Sequence, residues 1–144
     1  MSAKAFLDTN VLVYAHDKAF PDKMEKAQGL LFQGMRSGLV VISAQVLSEF
    51  FVTVTKKAKK PMSVERARRE LELLSSLETA EIDAPMVLRA VGIGQRWQLN
   101  YWDSLIIAAA ERTGCTTVYS EDLCDGQSYG LVTVRNPFCK QSSE

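Results

Sequence analysis

Five short apolar runs alternate with longer stretches of helical periodicity along this chain, and that alternation leaves few folds open. The runs are AKAFL (3–7), LVVIS (39–43), the weaker TAEID (79–83), TTVYS (116–120) and LVTVR (131–135). Their length, β-branched content and polar flanks predict strands. Between them the spacing of apolar residues predicts helices over 22–36, 44–58, 63–77, 84–98 and 101–114. Ser63 and Asp83 are placed to cap two of these, Pro85 stands in a first turn where its missing N–H costs little, and Gly38 and Gly114 are stop signals. Strands alternating with helices predict an α/β fold, a parallel sheet with helices on both faces.

With 144 residues and no Pro/Gly/Ser linker or repeat, the expectation is one domain over 1–144, with a frayed tail at 140–144. A hydrophobic fraction of 47% and a charged fraction of 24% suit a globular protein and argue against a disordered or fibrous one. The start, MSAK, lacks the apolar core of a secretion signal, and no run reaches the length of a membrane span, which points to a cytoplasmic protein with no membrane partner. Cys115, Cys124 and Cys139 have neither CxxC spacing nor a histidine cluster beside them, so they are expected to be reduced and structural. His16 is the single histidine, which argues against a zinc site of nitrogen and sulfur ligands.

Lys plus Arg and Asp plus Glu both number 17, so net charge gives no argument about nucleic acid. Charge distribution says more. Seven basic residues and one acid lie between Lys56 and Arg69, and Lys56, Lys57, Lys59 and Lys60 are candidates for contacts to an RNA backbone, with an ordinary solvated face as the equal alternative.

Ligands of open parallel sheets bind beyond the carboxyl ends of the strands. Asp8 in LDTNVLVY stands at such an end, directly after the first run, and Asp122 in SEDL follows the fourth. Glu49 in VLSEFF lies about 60° past the edge of a stripe formed by Val46, Leu47, Phe50, Phe51 and Val54, counting about 100° per residue. Asp103 in YWDSLIIAAA begins a helix whose apolar side shares its direction. Each acid alone has a plain structural reading, as a cap, a turn residue or an exposed helix position. Brought together they repel: two carboxylates about 5 Å apart cost roughly 3 kcal/mol at an effective dielectric of about 20. Such a cluster calls for a cation, and all-oxygen donors favour Mg²⁺ or Mn²⁺.

Asp8, Glu49, Asp103 and Asp122, in this order and local context, make the chain resemble the PIN-domain ribonucleases, above all the VapC-like toxins of type II toxin–antitoxin pairs, from about Lys4 to the terminal RNPF. The resemblance implies a five-stranded parallel sheet of order 3-2-1-4-5. It also implies hydrolysis of RNA by a metal-activated water, with products bearing a 5′-phosphate and a 3′-hydroxyl. On the same analogy, Asp8 and Asp103 are the main metal ligands, Glu49 is a ligand or orients the water, Asp122 completes the shell, and Asn10 and Ser120 support the ligands by hydrogen bonds. Glu121 and Asp125 leave open which carboxylate of SEDLCD faces the metal. The implied partners are an RNA substrate, a cognate antitoxin and a second copy of the chain. Two other readings stand beside this one: a catalytically silent PIN-like module or RNA-processing nuclease without an antitoxin, and a phosphoryl-transfer enzyme of haloacid dehalogenase type. The last needs an acid two residues after the first aspartate, where this chain has Asn10. Phe50, Phe51, Tyr101 and Trp102 are expected to serve packing, with a stacking role left open for Tyr101 and Trp102 by their position beside the proposed site.

Overall fold

The computed structural model describes residues 3–139, so the tail at 140–144 lies outside the described residues. Its elements are β1 (Lys4–Leu7), α1 (Thr9–Tyr14), α2 (Pro21–Ser37), β2 (Val40–Ser43), α3 (Ala44–Val52), a π-helical turn (Thr53–Lys57), α4 (Val64–Leu74), β3 (Glu78–Ala80), α5 (Ala84–Trp97), α6 (Tyr101–Arg112), β4 (Cys115–Tyr119), β5 (Ser128–Tyr129) and β6 (Val132–Arg135). The sheet order is β3-β2-β1-β4-β6-β5. All five expected strands are present, parallel, and in the expected order.

Two expectations need correction. The sheet has six strands, because Ser128–Tyr129 pairs antiparallel with β6 through a tight turn at Gly130, whose φ of +67° suits glycine. Two residues carry too little apolar pattern to register as a strand. The helix expected over 44–58 is α-helical only to Val52 and continues as the π turn, with Ala58 Nα donating to Thr53 O at 3.0 Å. Periodicity cannot register a change of helical pitch confined to one turn.

Local chemistry accounts for the ends. Ser43, Ser63, Asp83 and Asn100 each accept a backbone N–H from the first turn of the helix that follows, and Gly38 takes the left-handed conformation that closes α2. The chain moves from β1 outward to β3, then crosses back to β4. Right-handed crossovers therefore put α5 and α6 on the opposite face from the helices that precede them, and the order reverses between β1 and β4. Phe6, Leu7, Val41, Ile42 and Val118 of the strands and Ile106 and Ile107 of α6 are fully or nearly fully buried and form the centre of the core. No helix of the described residues is long and apolar enough to cross a membrane.

Candidate functional site

The strand-order reversal sets Asp8 and Asp122 side by side. Leu7 pairs with Tyr119, Asp8 Nα donates to Tyr119 O at 3.0 Å, and the turn after β4 then brings Asp122 back toward Asp8. Asp8 does cap α1, as its plain structural reading expects: its Oδ1 accepts Thr9 Nα at 2.7 Å. It also serves a second network. Ser120, fully buried, donates its hydroxyl to Asp8 Oδ2 at 2.7 Å and accepts the amides of Asp122 at 3.1 Å and Leu123 at 3.4 Å. Asn10 Nδ2 lies 3.2 Å from Asp122 Oδ2, 3.3 Å from Ser120 Oγ and 3.4 Å from Asp8 Oδ2, and Asn10 Oδ1 accepts the Glu121 amide at 3.1 Å.

Glu49 and Asp103 come from other elements and face the same cleft, a cavity of about 870 Å³ lined by all four acids. Thr9 Oγ1 donates to Glu49 Oε1 at 2.9 Å. Asn100 holds Asp103 in a reciprocal cap: Asn100 Oδ1 accepts Asp103 Nα and Asn100 Nδ2 donates to Asp103 Oδ2, both at 2.9 Å. Thr9 was missed by sequence reading. Its only signal is its place beside Asp8, which a simple cap also explains.

The turn SEDLCD separates its three acids by function. Glu121 pairs with Lys23 Nζ and accepts the Tyr14 hydroxyl at 2.7 Å. Asp125 accepts the Asn136 amide at 2.9 Å. Of the three carboxylates only that of Asp122 reaches Asn10 and, through it, Asp8. Lys23 is also ringed by aromatic side chains, its Nζ lying 4.6 Å from the Tyr14 ring centroid, 5.4 Å from Phe20 and 5.7 Å from Phe138.

Charge is left uncompensated at the four expected positions. Among the described residues none of Asp8, Glu49, Asp103 and Asp122 forms an ion pair, whereas Glu121 does. Asp8, only 6% exposed, is pushed up to about 6: burial raises it most, the charges of Asp122 and Glu49 add to the rise, and the bonds from Ser120 and Thr9 oppose it. Asp103 is raised as well, by burial first and then by Asp122, with the Asn100 bond opposing. The donors are all oxygen and anionic, which fits a hard divalent cation. Among the described residues no three His, Cys, Asp or Glu side chains are drawn together tightly enough to enclose an ion, so the acids line the cleft as separated donors.

Of the lysines considered for RNA contact, Lys57 lines the cleft; Lys56, Lys59 and Lys60 are exposed and do not. His16 is engaged within the fold, Nδ1 at 3.1 Å from Leu12 O and Nε2 at 3.0 Å from Glu70. The cysteines are free, with Cys115 buried and Cys124 and Cys139 exposed, so a packing role fits only the first. Phe50 is fully buried and Phe51 and Tyr101 pack against the core as expected. Trp102 does not: its side chain is 61% exposed and lines the cleft. Its apolarity suggests packing, but its position on α6, one residue from Asp103, turns it outward.

An α/β sheet with an order reversal and an acidic cleft beyond its strand ends defines the class of molecule. The PIN domain family model matches residues 5–123, and the chain belongs to that family. Comparison with curated protein sequences finds no match. Among solved structures, a chain of a toxin–antitoxin complex from Klebsiella pneumoniae is similar with a TM-score of 0.70 at 20% identity, over 94% of this chain and 98% of that one. A chain of FitAB bound to an IR36 DNA fragment gives a TM-score of 0.69 at 22% identity, over 97% and 99%. VapC20 of Mycobacterium tuberculosis, a toxin that cleaves the sarcin–ricin loop, gives 0.64 at 18% identity, over 83% and 90%. At these identities the likeness is one of fold.

Proposed function

We propose that this PIN domain is a metal-dependent endoribonuclease that acts in the cytoplasm as the toxin of a toxin–antitoxin pair. The observation that carries the reading is that Asp8, Glu49, Asp103 and Asp122 face one cleft without an ion pair among them, while the neighbouring Glu121 is neutralised. Asp8 and Asp103 also serve helix caps, but a cap does not need four acids on one cleft, and crowded carboxylates cost stability unless a cation joins them.

Asp8, Asp103 and Asp122 would hold Mg²⁺ or Mn²⁺, with Glu49 as a further ligand or as the group that orients water. A divalent ion in such a site lowers the pKa of water and screens charge growing on phosphate oxygens. The chain's own residues prepare the rest. Ser120 and the Thr9 amide fix both oxygens of Asp8, Thr9 Oγ1 points Glu49 into the cleft, and Asn10 keeps Asp122 beside Asp8. Where Glu49 does not hold the ion itself, it would orient the attacking water. Lys57 adds positive charge at the wall of the cleft, suited to an RNA backbone.

The fold's likeness to chains from toxin–antitoxin complexes supports an antitoxin partner. An apolar groove formed by Leu47 and Phe51 of α3 and Leu71 of α4 shares Ser48 and Val52 with the cleft, and a partner segment laid there would reach the acids. The exposed Val87, Leu88 and Val91 of α5 form an apolar stripe for a second copy of the chain.

The test is RNA cleavage by the purified chain in Mn²⁺, scored for 5′-phosphate ends. Asp8→Asn should lower the rate on the order of 10²–10³-fold, the scale of losing one group that stabilises developing charge. Unchanged cleavage by Asp8→Asn would overturn the assignment.

A further inference from the structure

The cleft is acidic on one side and apolar on another, and the apolar part includes a large aromatic side chain with no packing role. Trp102 lines the cleft at 61% exposure, one residue before Asp103. Both side chains line the one cleft, so a base on the indole and the phosphate joined to it would share that cleft with the Asp103 carboxylate. Two contacts hold Trp102 in place. Tyr101 meets it edge to face, with centroids 5.0 Å apart and planes at 76°. Gln45 Nε2 donates to the Trp102 carbonyl at 3.1 Å, tying the start of α6 to α3.

Gln45 supplies an independent observation. It is 6% exposed and lines the cleft, and its Oε1 is the buried side-chain acceptor that has no partner among the described residues. The bond to the Trp102 carbonyl fixes which end of the amide is which, because turning the amide over would set two carbonyl oxygens against each other. The unmatched group is therefore an acceptor, and it asks for an N–H.

We infer that Trp102 and Gln45 form a subsite for one unpaired nucleobase of the RNA, the base stacking on the indole and presenting an N–H to Gln45 Oε1. A base has a π face for the indole and N–H groups on its edge, and a nucleotide joins that base to the phosphate that the acids attend. A base inside a duplex has its edge paired and its face stacked, so the subsite selects single-stranded segments. This inference rests on the reading of the cleft as an RNA-cleaving site.

Trp97, packed on Tyr129 away from the cleft, is replaced by Phe so that Trp102 is the sole indole. Its fluorescence is followed while a short single-stranded RNA is added in calcium buffer, which screens the acids. Saturable quenching by the single strand and none by the same RNA annealed to its complement is the expected result. Trp102→Ala should weaken binding of labelled RNA by about tenfold or more, and Trp102→Phe should restore most of it. Gln45→Met should reduce the preference among homopolymeric RNAs without abolishing quenching. Equal quenching by duplex, or unchanged binding by a folded Trp102→Ala, overturns the subsite. Cleavage in Mn²⁺ is scored separately: quenching without cleavage keeps the subsite and removes the nuclease reading, whereas cleavage with a silent Trp102 does the reverse.

Discussion

Ser120 and Asp8, 112 positions apart in sequence, are joined by a 2.7 Å hydrogen bond between a fully buried hydroxyl and a carboxylate that is almost as deeply buried. The same oxygen receives the amides of Asp122 and Leu123, so a single hydroxyl fixes one acid and the turn that carries another.

Replacing Ser120 by Ala should therefore cost about 1–3 kcal/mol, the range for leaving buried hydrogen-bonding groups unmatched. Urea unfolding measures it. Cleavage should fall with it, since both Asp8 and Asp122 lose their support; a Ser120→Thr chain should keep more of each than Ser120→Ala.

Asp8 carries a pH signature. Its carboxyl titrates at about 6 in the folded chain against an ordinary 3.8. Between those values the native state holds a proton that the unfolded state has released, so this group's contribution is present at low pH and is lost as pH rises through about 6. Above that, the charge opposes folding by roughly 3 kcal/mol. Asp8→Asn, without cation, should thus be more stable than the parent by about 1–3 kcal/mol at neutral pH and no more stable near the pH of a free carboxyl, about 4. Thermal melts at the two pH values check the sign. A parent chain that is the more stable of the two at neutral pH would contradict it.

Added manganese should reverse that ranking. Binding to the native state raises the melting temperature in proportion to the logarithm of ligand excess. The parent should rise with added Mn²⁺ while Asp8→Asn moves little, a readout in which cleavage plays no part.

Lys23 separates Glu121 from the metal question. Burial pushes the Glu121 carboxyl up, but the bonds from Lys23 and Tyr14 outweigh it and hold the group below its ordinary range. Lys23→Met should move Glu121 upward, seen by carboxyl carbon NMR, and should loosen the turn that places Asp122. A second change, Glu121→Gln, should then recover part of the lost cleavage by removing the unpaired charge.

Two glycines of α2 make opposite forecasts from one helix. A Cβ on Gly34 would lie 2.5 Å from both Cβ and Cγ2 of Val40, so Gly34→Ala should cost about 1–3 kcal/mol through overpacking against β2. At Gly29 a Cβ meets nothing within 4 Å, and Gly29→Ala should gain about 0.5–1 kcal/mol. Chemical denaturation of the two variants side by side tests both.

Much of this arrangement could be read from the chain because its strands are short, apolar and punctuated, and because Asp8 and Asp122 stand just past strand ends and Asp103 near a helix start. Asp8, Glu49, Asp103 and Asp122 do line one cleft. What the residues could not disclose belongs to tertiary neighbours. Thr9 and Lys23 matter through Glu49 and Glu121, partners 40 and 98 positions away. For Trp102 packing is the first expectation from sequence and stacking the second; the side chain is outside, because apolarity predicts burial only when the helix face agrees. Four lysines looked equivalent in KKAKK, yet only Lys57 faces the cleft, a distinction made by the pitch of one turn.

That turn, Thr53–Lys57, closes α3 on a wider spiral than the helix before it. Bonds that skip one residue more than in an α-helix give the residues of such a turn directions that an α-helical continuation would not give them. The backbone then goes extended at Ala58, so the altered pitch reaches no further element. The widened last turn is thus an aiming device, which directs the ammonium of Lys57 at the acids while α3 itself keeps its shape.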